Sequence, residues 1–338
     1  MVDTVVLHVG PYKTGTTALQ AALKANSDLL ARHGVIYPTT GRSAKCHAPL
    51  GQALLSGDTS LLGPLAAEVD GWRAVLISTE HLSALDPVSL AVLRDHFPGA
   101  EFRLSYTLRR LADLWPSHWA ELVKHGQRLS FSGYLQRITD HDQRPYHAPI
   151  LPRLQLDRFA SVFGEDSLRI GIYDARRAEG QDIGPAFIDD LLGLGQVAPQ
   201  FQTQPTNVTP REVRTTLDYL MNQHAGDRLD YAAKQQKRMA LLRLLNGKHP
   251  PAWLLPLEEA LARTARIELS QDHPMVHAAQ AAVVTKYGAI IQDPIASYLA
   301  PIQTSVPQVE ALQLDEDLRA ILASEFDALA LSENDLSG

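Results

Sequence analysis

One stretch, residues 5–20, constrains the fold of this chain more than any other. Its sequence is VVLHVGPYKTGTTALQ. An apolar run of strand length is followed by a turn that contains glycine, and then by residues typical of a helix that begins at Thr16 or Thr17. In such a unit, the free backbone N–H groups and the positive end of the helix dipole converge on one point. The stretch therefore predicts an anion-binding site.

The spacing within the turn indicates which kind of anion site this is. The P-loop of nucleotide-triphosphate-binding proteins reads G-x-x-x-x-G-K-[ST], with the lysine directly after the second glycine. Gly10 and Gly15 have this separation, but Thr16 stands at the lysine position and the lysine comes earlier, at Lys13. The turn is therefore typical of a P-loop relative whose cation has moved into the loop.

The residues PYKTGTT, followed by a Leu-Gln pair, resemble the 5′-phosphosulfate loop of sulfotransferases that use 3′-phosphoadenosine 5′-phosphosulfate (PAPS). The resemblance implies that the backbone of residues 14–17 and the Thr16 and Thr17 hydroxyls hold the 5′-phosphate. It also implies that Lys13 reaches the oxygen between phosphorus and sulfur. The cofactor-binding residues implied for the loop are Pro11, Tyr12, Lys13, Thr14, Gly15, Thr16 and Thr17. The alternative is a polar turn that only caps a helix.

A second segment, residues 106–126, also resembles this family. There an arginine at a strand end and a serine about eight residues further on hold the 3′-phosphate, and Arg109 and Ser117 have that spacing. A guanidinium forms paired bonds to a phosphate, and a hydroxyl near a helix start adds one more donor. Arg110 is the alternative in register, because strand alternation turns it away from Arg109. The competing interpretation is a surface ion pair and a solvated serine.

Sulfuryl transfer to a hydroxyl needs a base near the acceptor oxygen and positive charge near the leaving oxygen. Lys13 supplies the charge. The segment LISTEHL, residues 76–82, resembles the place where family members carry a glutamate or histidine base. It offers Glu80 and His81, which point to opposite sides if the backbone is extended there. We rank Glu80 first, although it is alternatively a helix cap or an ion-pair partner of Lys13.

His47, in the loop after the second short strand, is a further candidate base. The sequence shows no spacing of His, Cys and carboxylate residues that would hold a metal, and none is expected for this chemistry. Four basic residues are candidates to meet an acidic acceptor or the cofactor, and are otherwise solvated surface. These are Arg42, Lys45, Lys124 and Arg144.

Apolar strands alternate with helices through about residue 195, which implies a parallel sheet covered on both faces. The predicted fold class is α/β, a P-loop-like three-layer αβα arrangement with a central, mainly parallel sheet and a helical C-terminal extension. Ligands bind beyond the carboxyl ends of strands in such sheets. Four candidate residues follow predicted strands, namely Lys13, Glu80, His81 and Arg109.

Residues 197–210 read as a linker, and the chain beyond is predicted to be helical without a strand. Helices are expected at 210–222, 231–245, 256–269, 273–287 and 309–330. We therefore predict two domains, a PAPS-binding domain at 1–200 and a helical extension at 201–338. Within the first, Asp86 is expected to cap the helix that opens at Pro87. Asp113 is expected to cap a later helix with Pro116 in its first turn, and Trp115 and Trp119 to share a buried face.

Composition excludes several classes of protein. With 31 basic and 38 acidic residues the net charge is −7, which argues against general nucleic-acid binding. The single cysteine, Cys46, excludes an internal disulfide and suits a reducing compartment. No run reaches the roughly 18 apolar residues of a membrane span, and the acidic Asp3 does not fit a signal peptide, so we expect a cytoplasmic protein. The glycosylation pattern at 207–209 is then incidental.

The resemblance of the two segments implies a PAPS-dependent sulfotransferase. It also implies in-line transfer of a sulfuryl group to a hydroxyl of a carbohydrate or another small molecule, with 3′,5′-adenosine bisphosphate as the product. The rival enzyme is a P-loop kinase or nucleotide hydrolase, which the spacing of Gly10 and Gly15 supports and the missing lysine at residue 16 opposes. A third possibility is a non-catalytic nucleotide-binding module whose helical part binds partners.

Overall fold

The computed structural model describes residues 2–141, 150–178, 183–201 and 212–329. The strands in these ranges are β1 Thr4–His8, β2 Val35–Ile36, β3 Ala74–Ser78, β4 Glu101–Leu108, β5 Leu168–Ile172, β6 Arg266–Ser270 and β7 Gln303–Pro307. Two parts of the chain discussed above lie outside the described residues. They are the polar segment that contains Arg144 and Tyr146, and the glycosylation pattern at 207–209.

The α-helices of the described ranges alternate with strands in the first half of the chain. Those up to residue 192 are α1 Thr16–Ala25, α2 Ser27–Arg32, α3 Ala48–Leu55, α4 Leu62–Glu68, α5 Pro87–Asp95, α6 Leu111–Lys124, α7 Phe131–Thr139, α8 Pro152–Phe163, α9 Tyr173–Ala178 and α10 Ile183–Leu192. Those beyond it are α11 Glu212–Ala225, α12 Tyr231–Leu245, α13 Leu254–Arg263, α14 Pro274–Tyr287, α15 Ile295–Tyr298 and α16 Glu316–Ala328. Among the helices of these ranges, none is long and apolar enough to cross a membrane.

The first five strands form a parallel sheet in the order β2-β3-β1-β4-β5. Strand β1 lies at its centre, where Leu7 is opposite Ile77 of β3 on one side and Leu104 of β4 on the other. Its apolar side chains are fully buried, as expected for a strand covered on both faces. The predicted α/β class with a parallel sheet is confirmed.

Side chains along β1 alternate between two hydrophobic clusters. Val5, Leu7 and Val9 belong to a cluster that also includes residues of α3, α5 and α8. Val6 belongs to a second cluster, with Leu23 of α1 and residues of α10. Because helices cover both faces, the sheet is the middle layer of a three-layer αβα arrangement.

The switch between the two faces occurs at β1. The helix that follows β1, α1, packs on one face, and the helix that follows the neighbouring strand β3, α5, packs on the other. In open parallel sheets such a reversal opens a crevice at the carboxyl ends of the strands concerned. The candidate site is built at this edge.

Two local predictions about α6 were wrong. Asp113 does not cap the helix, because the Arg110 carbonyl already accepts bonds from the Asp113 and Leu114 N–H groups, so the helix begins at Leu111. Asp113 instead pairs with Arg110 at 3.2 Å. Pro116 accordingly lies inside the helix, where it removes one backbone hydrogen bond. The predicted cap at Asp86 is confirmed, since its carboxylate accepts from the Ser89 N–H at 2.7 Å.

The prediction that the chain beyond residue 210 contains no strand was also wrong. Strands β6 and β7 form a two-stranded sheet. The helix expected at 256–269 therefore ends at Arg263, and the last helix begins at Glu316. The partner of each strand is some forty residues away in sequence, so this pairing has no local signature. A side-chain bond also joins the two strands, in which Nε of Arg266 donates to the Ser305 hydroxyl at 2.7 Å.

Contacts divide the chain into two compact units that alternate along the sequence. The first comprises Met1–Leu114, His141–Asn207 and Ser270–Ile302, and the second comprises Trp115–Asp140, Val208–Leu269 and Gln303–Gly338. The first unit contains the parallel sheet, to whose hydrophobic cluster Val283 and Tyr287 of α14 also belong. The second has its own cluster, with Leu217, Leu318 and Phe326. Because the segments alternate, this division does not follow a single boundary at residue 200. Trp115 and Trp119 are buried, as predicted.

Candidate functional site

The turn between β1 and α1 is shaped by three residues in the left-handed backbone region. Their φ angles are 90° at Gly10, 68° at Lys13 and 83° at Gly15. Glycine adopts this conformation readily, whereas a lysine does so rarely. At Gly10 space is also short, because a Cβ atom there would lie 3.1 Å from Cγ of Glu80. The turn therefore folds tightly against Glu80, two residues beyond the end of β3.

The first turn of α1 offers backbone donors to this space. The first bonds of the helix run from the Ala18 and Leu19 N–H groups to the Gly15 carbonyl, at 3.1 and 3.2 Å. The N–H groups that precede them have no acceptor within the helix, as at every helix start. The Thr14 hydroxyl donates to the Pro11 carbonyl at 2.7 Å, which ties the turn to itself. Donors and helix dipole thus point to one place, which favours an anion.

Glu80 lies beside this turn. It is 8% exposed, and its Oε2 accepts a hydrogen bond of 3.0 Å from Nε2 of Gln20 on α1. The Thr79 N–H donates to the His8 carbonyl at 3.1 Å, which joins the ends of β3 and β1. The carboxylate is therefore held in a defined orientation next to the anion-binding turn.

The condition under which Glu80 and His81 would point to opposite sides, an extended backbone, is not met. Thr79 is extended, but Glu80 begins a short 3-10 helix, so strand alternation does not separate the two side chains. The His81 ring is half-buried, its Nδ1 is 3.0 Å from the Thr79 hydroxyl, and its centroid is 6.3 Å from that of Tyr12 in the turn. Both candidates therefore lie next to residues of the same turn.

His47 has no ring nitrogen left for a substrate. Its Nδ1 accepts from the Ser78 N–H at 3.2 Å, and its Nε2 donates to the Pro38 carbonyl at 3.1 Å. The ring is fully buried, and this burial lowers the pKa of His47 to about 4. The geometry assigns it a structural role, holding the loop after β2 against the end of β3.

His8 belongs to this region although the sequence pattern did not single it out. Its Nδ1 is 2.7 Å from the Ser78 hydroxyl, and its ring packs edge-on against Phe187 at 5.6 Å between centroids. Burial lowers the pKa of His8 to about 4, against the opposing effect of the Glu80 charge. The only signal in the sequence was one polar residue within an apolar strand.

Arg109 follows β4 directly and contacts the turn. Its Nη1 donates to the Lys13 carbonyl at 2.8 Å, and its guanidinium carbon lies 5.3 Å from the centroid of the Tyr173 ring. Its Nε is buried and has no partner among the residues that the structure describes. Arg110, the alternative in register, pairs instead with Asp113 and Asp174.

The strand order thus brings three of the predicted residues together, since Lys13, Glu80 and Arg109 follow the adjacent strands β1, β3 and β4. Ser117 lies on the part of α6 that belongs to the second unit, and its role remains a prediction. In the described part of the chain, no group of three or more His, Cys, Asp or Glu side chains could hold a metal ion. The fold and site define an α/β protein with a candidate anion-binding turn after its central strand.

Comparisons with known proteins found similarity to solved structures. No family profile matches the chain, and no curated protein matches it. It is similar to the crystal structure of a sulfotransferase from Alicyclobacillus acidocaldarius, with 16% sequence identity and a TM-score of 0.40. The match covers 70% of this chain and 100% of that one. A similarity of this size supports no argument about function, so the interpretation depends on the residues of the site.

The buried side chains of His8 and His47 predict an acid-sensitive fold. The pKa of each is about 4 in the folded protein and has the ordinary value of 6.5 in the unfolded chain. Between these two pH values, each histidine is therefore protonated in the unfolded chain and neutral in the folded protein. Their contribution to the free energy of unfolding is complete above pH 6.5 and is lost as the pH falls towards 4, by about 1.4 kcal/mol per pH unit and histidine. Urea unfolding of wild type and His47→Gln, followed by circular dichroism over this range, measures the slope.

The His47→Gln variant should lose about one histidine's share of this slope. The same substitution at the exposed His249 is the control. Equal slopes for wild type and His47→Gln would contradict the prediction.

Proposed function

We propose that this protein is a PAPS-dependent sulfotransferase that transfers a sulfuryl group to a hydroxyl of a carbohydrate or another small molecule. The observation that carries the proposal is the contact between Arg109 and the turn, in which its Nη1 donates to the Lys13 carbonyl at 2.8 Å. Arg109 thereby lies beside the turn that carries Lys13 and precedes α1, in a chain with a net charge of −7. Such a local concentration of positive charge suits a ligand with several anionic groups.

The residues of the turn fit the anionic groups of PAPS. The N–H groups at the start of α1, with the hydroxyls of Thr16 and Thr17, would hold the 5′-phosphate. Arg109 would hold the 3′-phosphate, to which the sequence resemblance also assigns Ser117. A fit is supported by the buried Nε of Arg109, which has no acceptor within the described residues, because a phosphate oxygen would provide one. When bound, PAPS supplies the sulfuryl group and a phosphate leaving group.

Lys13 and Glu80 are assigned the chemical roles. The Lys13 ammonium stabilises the negative charge that develops on the leaving oxygen. Glu80 takes the proton of the acceptor hydroxyl, through Oε1, because Gln20 holds its Oε2. His81 is the second candidate base, since His47 uses both of its ring nitrogens within the protein. Transfer would release 3′,5′-adenosine bisphosphate.

Two binding measurements and one assay test the proposal. Calorimetry should detect 3′,5′-adenosine bisphosphate in the absence of metal and little binding of ATP with Mg²⁺. Radiolabelled PAPS with a panel of alcohol and amine acceptors should give labelled product. Preferential ATP–Mg²⁺ binding would favour a kinase or nucleotide hydrolase, and bisphosphate binding without transfer to any acceptor would favour a non-catalytic module.

The first variant prediction concerns the base. Glu80→Gln should leave the affinity for 3′,5′-adenosine bisphosphate almost unchanged and lower kcat by a factor on the order of 10² to 10⁴, because the amide cannot take a proton. His81→Gln is the matched variant and should lower kcat much less. Steady-state kinetics and calorimetry on both variants decide between them. The reverse ranking would assign the base to His81, and unchanged turnover in Glu80→Gln would remove Glu80 from this role.

The second concerns Lys13. Lys13→Ala should lower kcat on the order of 10²-fold while weakening bisphosphate binding by less than about tenfold, because the ammonium acts chiefly on charge that forms during transfer. Lys24→Ala, at the exposed far end of α1, is the control. If binding and kcat fell equally in Lys13→Ala, a role confined to leaving-group stabilisation would be disproved.

A further inference from the structure

The loop between β2 and α3, residues 37–47, has a built shape. We call it the β2–α3 loop. Ser43 and Cys46 exchange both of their backbone hydrogen bonds, at 2.9 and 3.0 Å, which closes a two-residue turn. Ala44 within that turn has a φ of 46°, in the left-handed region that non-glycine residues rarely occupy. A strained tight turn of this kind persists only where the surroundings hold it.

Contacts on both sides hold the β2–α3 loop. The Tyr37 hydroxyl donates to the Lys45 carbonyl at 2.6 Å. The carboxylate of Glu68 accepts from Thr39 and from the Thr40 N–H, at 2.7 to 2.8 Å. At its end, the His47 N–H donates to the Ser78 carbonyl at 2.8 Å. The loop therefore leaves the carboxyl end of β2 and returns to the carboxyl end of β3, two residues before Glu80.

The charge of this loop is positive. It contains Arg42 and Lys45 and no acidic residue. The Arg42 guanidinium carbon lies 5.0 Å from the centroid of the Tyr37 ring, and its Nη1 is buried without a partner in the ranges that the structure describes. A ring contacts the face of a guanidinium and accepts none of the in-plane hydrogen bonds, so the N–H groups at its edge can still donate to another group. Among the described residues, Arg42 has no acidic partner of the kind that Arg110 has in Asp113.

The loop shares its electrostatic surroundings with Glu80. Burial raises the pKa of Tyr37, the charges of Cys46 and Glu80 raise it further, and the charge of Arg42 lowers it. Burial and the Glu80 charge also raise the pKa of Cys46. Contacts lead the same way: Arg42 lies over the Tyr37 ring, and that ring packs edge-on against His47 with 4.9 Å between centroids. His47 in turn accepts from the Ser78 N–H, so this chain of contacts places Arg42 near the end of β3, two residues before the proposed base.

We infer that the β2–α3 loop forms a wall of the acceptor pocket, and that Arg42 selects acceptors which carry an oxyanion beside the hydroxyl that reacts. The oxyanion is a carboxylate or a sulfate ester, both of which match the planar donors of a guanidinium. This inference rests on the proposed function, because it names the substrate class of the same site. It concerns the acceptor and not the cofactor, whose phosphates are assigned to the turn and to Arg109.

Titration calorimetry on the full chain tests this inference without turnover. The probes are methyl β-D-glucoside, methyl β-D-glucuronide and methyl β-D-glucoside 6-sulfate, added in the presence of 3′,5′-adenosine bisphosphate. The three share one sugar ring, so they isolate the anionic group and separate a carboxylate from a sulfate. Wild type should bind at least one anionic probe about tenfold or more tightly than the neutral one.

Two variants of Arg42 and one control sharpen the comparison. Arg42→Met should reduce the preference for the anionic probe to about twofold or less, and Arg42→Lys should retain part of it, because the charge remains without the planar donors. Bisphosphate affinity should stay unchanged in both variants. Arg32→Met, at the exposed end of α2, should retain the full preference.

Failure of the inference can be told from failure of the proposed function. No preference for either anionic probe in wild type, or an equal preference in Arg42→Met, would overturn the inference. So would a large loss of bisphosphate affinity in Arg42→Met, which would place Arg42 in the cofactor site. Transfer from PAPS that is equally efficient for neutral and anionic probes would overturn the inference and uphold the function. An Arg42-dependent anion preference without any transfer would uphold the anion site and refute the function.

Discussion

The central strand β1 is the constraint on which the site depends. Its backbone is paired with a strand on each edge. Its apolar side chains pack into a hydrophobic cluster on each face of the sheet. After β1 the chain turns into the start of α1 through Gly10 and Gly15, both of which adopt the left-handed backbone conformation. The unbonded N–H groups of that helix are thereby held at the edge of a rigid sheet. This rigidity makes the turn a preorganised place for an anion.

Two arginines at this edge are held without acidic partners in the described residues. Arg109 donates to a backbone carbonyl of the turn and lies over Tyr173, and Arg42 lies over Tyr37. An aromatic ring or a carbonyl positions a guanidinium but does not neutralise its charge. The charge of each arginine therefore remains available to an anionic ligand, which supports the proposed binding of such a ligand by a chain of net charge −7.

Neutral polar groups hold the same region together. His8 and His47 are kept uncharged at neutral pH by burial, which lowers the pKa of each to about 4. The Gln20 amide orients the Glu80 carboxylate without adding charge. These neutral donors and acceptors fix the positions of the charged groups without neutralising them, so the charges remain available to a ligand.

The local sequence was enough to predict the strand, turn and helix at residues 5–20, the cap at Asp86 and the alternation of strands and helices. These features depend on the spacing and propensity of neighbouring residues. Only the tertiary structure decided that Arg109 rather than Arg110 meets the turn, that His47 has both ring nitrogens engaged, and that β6 pairs with β7. Each of these depends on a partner far away in sequence. Local patterns carry no record of such partners, since long-range pairing is set by packing and hydrogen bonding in the folded chain.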